Sequence, residues 1–480
     1  MNKPNILLIM IDQLRFDTLG FMGHKVVKTP HIDSLAGQGV IFNKAYSSCP
    51  SCIPARAALF TGLSQKNHKR VGYADGIHWT YENTLPELLA KQGYYTQCVG
   101  KMHVSPLRNN LGFHNVDLHD GYLHFYRKET TPSYENQKVA DDYYYWLKNE
   151  LGIEADTTDT GIDCNSWVAR PWPYEEKYHP TNWVTTKSID FLRKRDRDKP
   201  FFLMSSYVRP HPPFDAPLYY FDLYKNVDIP ESTIGDWVDE EIIQNVPKYF
   251  ASDISPNDKE LIRQAKIGYY ACITHLDHQI GRLIQELIER QLYDNTLIIF
   301  ASDHGELLMD HNMFRKSMAY EGSSHIPFFI SGGYNALQCI SNSVCNSIVE
   351  LRDILPTLVD YVGGDILKNI DGQSLLPLIK DPNKEIREYL HGEHAYGNKS
   401  NHFIVTKKDK YIWFCKTGKE QYFDLENDTM EEKDLIHNEN YKDRIDILRK
   451  YLIEELKDRE ECFTDGKALI PIKQEKYFLN

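Results

Sequence analysis

Four apolar segments of the chain each end in a cluster of polar residues. The segments and the residues that follow them are 5–11 with Asp12-Gln13, 94–99 with Gly100-Lys101-Met102-His103, 201–208 with Arg209-Pro210-His211, and 296–301 with Ser302-Asp303-His304-Gly305-Glu306. Continuous apolar strands are typical of a parallel sheet that helices cover on both faces. Helical periodicity separates the strands, at 84–92, 185–195 and 261–290. The pattern predicts an α/β fold with a large, mostly parallel sheet sandwiched by helices.

The polar clusters predict a single crevice, because ligands of open α/β sheets bind beyond the carboxyl ends of the strands. Asp12, Gln13 and Asp303 offer oxygen ligands for a hard divalent cation, and His304 adds a nitrogen that manganese or zinc also accepts. Positive charge and transferable protons come from four residues: Lys101, His103, His211 and Lys316. Each residue alone is more often structural, but together they indicate a site for a tetrahedral oxyanion ester.

A second, smaller unit is predicted after a boundary near 371–377. Short strand-like segments at 403–406 and 411–414 precede a helical pattern at 441–456, which favours a small antiparallel sheet with a helix packed on it. We therefore expect a catalytic domain at 1–372 and a C-terminal α+β subdomain at 373–480. This subdomain contains three histidines that could reach the rim of the pocket, although exposure to solvent is the favoured interpretation: His391, His394 and His402.

The segment 105–180 is predicted to be an insertion rich in aromatic residues and without a long strand. Its rings include Tyr122, His124, Phe125, Tyr126, Tyr143, Tyr144, Tyr145, Trp146, Trp167 and Trp172. One interpretation is that they pack against the main domain. The other is that part of the segment walls the crevice and recognises the organic part of the ester, since aromatic faces suit sugar or aryl rings.

Size, charge and cysteine content narrow the possible classes of protein. The chain has 480 residues, enough for one large domain and a smaller one. Its nine cysteines are odd in number and irregularly spaced, which favours buried free thiols over a disulfide framework. The net charge of −13 argues against nucleic-acid binding. The sequence shows no membrane-spanning run and no signal-peptide pattern, so we expect a cytoplasmic protein, although removal of a leader would leave the same sequence.

The stretch 49–62 has two competing interpretations. Cys49 and Cys52 have the C-x-x-C spacing of a thiol–disulfide oxidoreductase, whereas Cys52, Pro54 and Arg56 form a C-x-P-x-R sequence. Pro54 suits the first turn of a helix that Gly62 would end. Cys52 would then lie just before the helix, where N–H groups and the dipole favour negative charge. This favours Cys52 as a nucleophile, because the redox interpretation places Pro54 inside the helix.

The sequence from Cys52 to Gly62 resembles the signature of the formylglycine-dependent sulfatases, members of the alkaline-phosphatase-like superfamily. Further landmarks follow in family order, at 29–36, 39–42, 100–103, 302–306, 316 and 422–428. The resemblance extends from residue 5 to about residue 435. It implies an alkaline-phosphatase-like fold and a sulfatase of the arylsulfatase type, acting on sulfate monoesters of aryl or carbohydrate alcohols.

The resemblance also implies the chemistry of the site. A separate maturation enzyme would oxidise Cys52 to formylglycine, whose hydrated aldehyde attacks sulfur. One divalent metal would be held by Asp12, Gln13, Asp303 and His304, with calcium favoured and manganese or magnesium possible. Sulfate would be held by Lys101, His211 and Lys316. His211 would protonate the leaving alcohol, while His103 and Arg56 would lie around the formylglycine hydrate and His103 would remove a proton from it.

Two positions depart from the commonest sulfatase pattern. Gln13 stands where many sulfatases have a second Asp, and His304 stands where they have Asn. With the Arg-Pro-His-Pro-Pro sequence at 209–213, these residues resemble the branch that also contains phosphonate monoester and phosphodiester hydrolases. Hydrolysis of such esters is therefore an alternative activity. Binding of an oxyanion without turnover is a further alternative, which the intact nucleophile and proton-transfer residues make less attractive.

Overall fold

The computed structural model describes residues 3–121, 140–238 and 258–479. Its strands are β1 Asn5–Ile11, β2 Val40–Phe42, β3 Ala45–Tyr46, β4 Tyr95–Gly100, β5 Asn115–Leu118, β6 Phe201–Tyr207, β7 Thr296–Ser302, β8 Phe328–Gly332, β9 Ser343–Cys345, β10 Val349–Glu350, β11 Tyr389–His394, β12 Asn401–Thr406, β13 Asp409–Phe414 and β14 Glu420–Asp424. Its α-helices are α1 Pro30–Ala36, α2 Cys52–Thr61, α3 Gln65–His68, α4 Leu85–Lys91, α5 Asp142–Leu151, α6 Pro180–Lys194, α7 Leu218–Asp222, α8 Lys259–Glu289, α9 Glu321–Ser324, α10 Ile354–Tyr361, α11 Leu376–Lys380 and α12 Lys442–Leu456.

The large sheet has eight strands in the order β5-β4-β6-β1-β7-β8-β2-β9. β1 lies at its centre and pairs in parallel with β6 and β7, so that Ile9 lies beside Ser205 on one side and Phe300 on the other. β8 is antiparallel to both β7 and β2. The predicted α/β class and mostly parallel sheet are confirmed, and the antiparallel β8 was not anticipated.

Hydrophobic layers cover both faces of this sheet. Alternate residues of β1 face opposite ways: Leu7 and Ile9 join the core that contains Leu276 of α8, whereas Ile6 and Leu8 join the core that contains Leu89 of α4. All seven residues of β1 are buried. Burying one large aliphatic side chain contributes about 1.5–3 kcal/mol, so the strands that carry the polar clusters are firmly anchored.

The small sheet is antiparallel, in the order β11-β12-β13-β14, with α12 packed on one face. Its other face lies against the large unit, where Phe403 and Ile412 share a core with Met318 and Tyr320. The predicted small antiparallel sheet and its helix are therefore confirmed. β11 and β14 were not predicted, because their apolar residues are interrupted by charged and polar ones.

The prediction that three C-terminal histidines are exposed is wrong. His394 is 1% exposed, His402 is 2% exposed, and His391 is partly buried. They occupy the paired strands β11 and β12, where His402 packs against Trp413 and Phe463. Burial lowers the pKa of His394 to about 3, so its imidazole is neutral at physiological pH.

The aromatic-rich segment contributes both to the core and to the site. Tyr143, Tyr144, Trp167 and Trp172 are buried, as the packing interpretation predicts. Another part of the segment, at 164–165, lines the cavity described below, but neither residue is aromatic, so recognition of the organic group by this segment stays a prediction. Four of its predicted aromatic residues lie outside the described residues: Tyr122, His124, Phe125 and Tyr126.

All nine cysteines are free thiols, and seven of them are buried, as the irregular spacing predicts. Within the described parts of the chain, the structure contains no helix with the length and apolar character needed to cross a membrane.

Candidate active site

Backbone hydrogen bonds at the ends of the central strands bring the polar clusters together. The Asp12 N–H donates to the Tyr207 carbonyl at 3.0 Å, and the Asp303 N–H donates to the Ile11 carbonyl at 3.0 Å. The Lys101 N–H extends β4 in the same way by donating to the Ser206 carbonyl at 3.0 Å. The expected convergence at the carboxyl ends is therefore observed.

Gly100 makes this approach of β4 to β6 possible. Its φ is 101°, a conformation that favours glycine, and a Cβ at this position would lie 1.9 Å from the Ser206 carbonyl oxygen. Any other residue would push Lys101 away from the crevice.

Cys52 is the first residue of α2, which starts one residue earlier than predicted. Ser51 before it is extended, and Pro54 lies in the first turn, where its missing N–H removes no helical hydrogen bond. Gly62 ends the helix in the left-handed conformation. Residue 52 thus lies where free backbone N–H groups and the helix dipole favour negative charge.

Three charged or titratable groups surround the thiol of Cys52. Its Sγ lies 3.4 Å from Asp12 Oδ1 and 3.3 Å from His304 Nε2. Lys316 Nζ donates to the same sulfur at 3.2 Å. Burial and Asp12 oppose ionisation of the thiol, but Lys101, Lys316 and His304 outweigh them and lower its pKa to about 6.

Two buried ion pairs orient the carboxylates beside Cys52. Lys101 Nζ contacts Asp12 Oδ2 at 2.5 Å, and Arg56 Nε contacts Asp303 Oδ2 at 3.0 Å. Arg56 also donates to the Lys101 carbonyl at 2.7 Å and to Ser206 Oγ at 3.0 Å. Removing one partner of such a pair would leave an uncompensated buried charge.

Three of the four predicted metal ligands, Asp12, Asp303 and His304, form a compact donor set with Cys52. Asp12, Cys52, Asp303 and His304 each offer one donor atom, and these atoms lie within 4.8 Å of one another. His304 Nδ1 lies 2.9 Å from the Gly305 carbonyl, which leaves Nε2 as the atom directed to the cluster. Two carboxylates and an imidazole on buried, hydrogen-bonded positions fit a divalent cation.

Gln13 joins the cluster through its amide. Its N–H donates to Asp303 Oδ1 at 3.1 Å, and its side-chain oxygen accepts from Lys316 Nζ at 2.7 Å. Its side-chain nitrogen donates to Glu306, which fixes the amide with the oxygen towards Lys316. Glu306 belongs to the polar cluster at 302–306, but no role was predicted for it.

His103 and His211 line the same cavity as Cys52. Met102 and His103 donate their N–H groups to Asp120 Oδ1 at 2.8 and 2.9 Å, which holds His103 at a φ of 58°. Burial and Lys101 lower the pKa of His103 to about 4. His211 Nδ1 lies 2.8 Å from the Pro212 carbonyl, and burial with Lys316 holds the pKa of His211 well below its usual range.

A buried ion pair supports the loop that carries His211. Arg209 donates to both oxygens of Asp215, at 2.5 and 2.7 Å, and His179 lies 3.5 Å from the same carboxylate. The bidentate geometry restrains the loop on both sides of His211.

The cavity has a volume of about 500 Å³. Its lining includes Cys52, Tyr73, Asp75, Lys101, His103, Asp120, Cys164, Asn165, His211, Arg315, Lys316 and Tyr396. Three of these lining residues were not predicted from the sequence: Tyr73, Asp75 and Asp120. Asp120 follows the short strand β5 and shares the strand-end position of the other clusters, whereas Tyr73 and Asp75 lie in a loop that gives no such signal.

Comparison with known proteins identifies the family. The family model for sulfatases matches residues 4–364, and the model for the C-terminal part of N-sulphoglucosamine sulphohydrolase matches residues 309–459. The chain belongs to the sulfatase family, and it is a sulfuric ester hydrolase of the arylsulfatase type.

Curated relatives agree with this assignment. The chain is 51% identical to an arylsulfatase of Clostridium perfringens (strain 13 / Type A), over 98% of this chain and 97% of the relative. It is 29% identical to a multifunctional alkaline phosphatase superfamily protein of Trinickia caryophylli, over 79% and 78% of the two chains.

Solved structures share the fold. The phosphonate monoester hydrolase of Agrobacterium radiobacter matches with a TM-score of 0.78 and 24% identity, over 94% of this chain and 95% of that one. A protein in complex with its substrate D-glucosamine-2-N,6-O-disulfate matches with a TM-score of 0.74 and 21% identity, over 96% and 99%. These matches establish the alkaline-phosphatase-like architecture.

Proposed function

We propose that the protein hydrolyses sulfate monoesters of aryl or carbohydrate alcohols, with residue 52 as the nucleophile after a maturation enzyme has oxidised Cys52 to formylglycine. The position of Cys52 Sγ, within 3.4 Å of Asp12, His304 and Lys316 at a helix N-terminus, carries the proposal. A hydrated aldehyde supplies one hydroxyl to attack sulfur and a second whose deprotonation releases sulfate, which a thiol cannot supply.

We infer that one divalent cation, calcium in preference to manganese or magnesium, is held by Asp12, Gln13, Asp303 and His304. The compact donor set supports Asp12, Asp303 and His304 as ligands, and Gln13 adjoins them through its N–H bond to Asp303 Oδ1. The cation would stabilise negative charge on the attacking hydroxyl and on the sulfate oxygens. Lys101 and Arg56 would keep the two carboxylates in position through their buried ion pairs.

Lys101, Lys316 and His211 are assigned to binding of the sulfate group. Asp12 raises the pKa of Lys101 against the effect of burial, so this ammonium group stays charged. Lys316 Nζ contacts Cys52 Sγ. Its positive charge would therefore stabilise the negative charge of a sulfate group that is transferred to residue 52.

His211 is assigned to protonation of the leaving alcohol. Its neutral imidazole donates Nδ1–H to the Pro212 carbonyl, so Nε2 faces the cavity as the atom that gains and gives the proton. A bound anionic ester would offset the field of Lys316, which lowers the pKa of His211 in the free enzyme.

Hydrolysis of phosphonate monoesters or phosphodiesters with the same site is a second candidate. The amide of Gln13, which accepts from Lys316 and stands in place of the carboxylate of the commonest sulfatase pattern, is the feature that this site shares with the branch that hydrolyses these esters. The relative from Trinickia caryophylli is described as multifunctional, which supports testing both classes.

The test combines mass spectrometry with a substrate panel. Protein co-expressed with a maturation enzyme should show the mass loss expected for an aldehyde at residue 52, and its activity should scale with that fraction. The turnover of an aryl sulfate, an aryl phosphonate and an aryl phosphodiester should then be compared to show which ester the enzyme hydrolyses fastest. Full activity of protein with unmodified Cys52 would show that formylglycine is not the nucleophile. Faster turnover of the aryl phosphonate than of the aryl sulfate would favour the second candidate.

A further inference from the structure

Tyr73 links His103 to a carboxylate at the edge of the active-site cavity. Tyr73 Oη lies 3.4 Å from His103 Nε2 and 3.3 Å from Asp75 Oδ2. The Tyr73 and His103 rings meet edge to face, with centroids 5.7 Å apart. All three side chains line the cavity that contains Cys52.

The direction of the two hydrogen bonds follows from the chemistry of the groups. A carboxylate only accepts, and a tyrosine hydroxyl has one proton to give. Partial burial of Tyr73, which stays 41% exposed, and the charge of Asp75 raise the pKa of Tyr73, so the hydroxyl keeps this proton. The stronger, charge-assisted bond is the one to Asp75, which leaves Tyr73 Oη to accept from His103 Nε2–H.

The environment of the other ring nitrogen, His103 Nδ1, also favours a proton on Nε2. Among the described residues, Nδ1 is buried and has no hydrogen-bond partner. A buried N–H without a partner is rarer than a buried acceptor without one, which favours the lone pair at Nδ1. Asp120 meanwhile accepts from the His103 N–H and holds the His103 backbone in the left-handed region, which costs energy for a residue that carries a side chain.

We propose that Tyr73 and Asp75 are positioning residues that hold His103 as the Nε2–H tautomer and leave Nδ1 as the base for the second half of the reaction. This inference rests on the proposed function of residue 52. The proton of the remaining hydroxyl on residue 52 moves to Nδ1, its O–H electrons form the C=O bond, and the bond between that carbon and the sulfate oxygen breaks. Aldehyde and free sulfate are the products. His103 would thus be a base that a neighbouring group orients, as in a catalytic triad, but with Tyr73 and Asp75 as the orienting residues.

The tautomer can be measured without turnover. In full-length protein with unmodified Cys52 and ¹⁵N-labelled histidine, long-range ¹H–¹⁵N spectra should show the His103 proton on Nε2, with the signal assigned by its loss in His103→Gln. In Tyr73→Phe this preference should weaken. A proton on Nδ1 in the unsubstituted protein would overturn the proposal, whatever the outcome for formylglycine.

Pre-steady-state kinetics of the modified enzyme test the consequence. With a nitrophenyl sulfate, Tyr73→Phe should release the first equivalent of nitrophenolate at the normal rate and then turn over about 10-fold to 100-fold more slowly, the usual effect of losing a partner that orients a histidine. Asp75→Asn should act in the same direction but less strongly, because an amide can still accept from Tyr73.

The matched control is Tyr422→Phe. It removes another tyrosine hydroxyl that donates to an aspartate, Asp409, at 3.0 Å, but in the C-terminal sheet outside the cavity. It should leave both phases unchanged. A slower first release or a raised KM without a burst in Tyr73→Phe would show that Tyr73 contacts substrate instead, and unchanged turnover would show that it has no role; either result overturns the proposal.

Discussion

Lys316 Nζ lies 3.2 Å from Cys52 Sγ, although 264 residues separate the two in the chain. The same ammonium group donates to Gln13 Oε1 at 2.7 Å. Lys316 therefore contacts both the nucleophile position and Gln13, one of the two residues that depart from the commonest sulfatase pattern, and the two contacts can be tested separately.

The first prediction concerns the thiol before modification. Since Lys101, Lys316 and His304 bring the pKa of Cys52 to about 6, its alkylation by iodoacetamide should rise with pH up to about 6 and level off above it. Mass spectrometry of the Cys52 peptide measures the rate. Lys316→Met should move the midpoint upward, because one of the groups that stabilise the thiolate is lost.

Cys49 is the internal control for this measurement. Burial and Glu393 raise its pKa well above the usual range, so its peptide should stay unmodified at the same pH values. Equal alkylation of Cys49 and Cys52, or a Cys52 midpoint near the ordinary value of about 8.5, would contradict the geometry and revive the C-x-x-C interpretation.

The second prediction concerns the metal. Elemental analysis of active enzyme should find one divalent cation per chain, and chelation should abolish activity until calcium is returned. Asp303→Ala removes a proposed ligand and the partner of Arg56, so it should lower activity more than about 100-fold and reduce bound metal. Full activity of metal-free enzyme, or normal turnover by Asp303→Ala, would be incompatible with the assignment.

The third prediction separates His211 from His103. If His211 protonates the leaving alcohol, His211→Ala should slow sugar sulfates by about 100-fold to 10,000-fold but nitrophenyl sulfate far less, because nitrophenolate leaves without acid help. If His103 acts in the second half of the reaction, His103→Ala should release one equivalent of nitrophenolate and retain sulfate on the residue 52 peptide. Equal slowing of good and poor leaving groups by His211→Ala would show that the roles are assigned wrongly.

The fourth prediction concerns Gln13. Gln13→Glu restores a carboxylate beside Lys316 and Glu306, so it should lower turnover of a doubly charged aryl phosphate about 10-fold more than turnover of an aryl sulfate. The ratio of the two kcat/KM values is the measurement. Gln38→Glu, on an exposed side chain that donates to the Ser34 carbonyl and accepts from Tyr293, provides a control of equal charge. An unchanged ratio would show that Gln13 does not set the preference.

The core of the fold could be predicted well because β1, β4, β6 and β7 are mainly apolar strands that are each followed by a polar cluster. The sequence predicted Asp12, Lys101 and Asp303 from the same signal and Cys52 from its place beside a helix N-terminus, and the structure gathers these residues into one crevice. It failed for His394, since β11 mixes polar and apolar residues and its burial depends on the large unit above it. Tyr73 was not predicted because a contact across 30 residues, from one loop to another, leaves no local pattern.

The small sheet contacts the residues next to Cys52 and Lys316 in the chain, in the two loops that end at Ser51 and pass through Ser317. His394 Nε2 lies 2.8 Å from Ser51 Oγ, and Asn401 donates to the Ser317 carbonyl at 3.0 Å. A chain ended before β11 would keep every residue assigned to the chemistry, yet both loops would lose these supports. The minimal catalytic unit of this enzyme is therefore longer than its list of reacting residues suggests, and a search for shortened active forms should trim after α12 rather than before the small sheet.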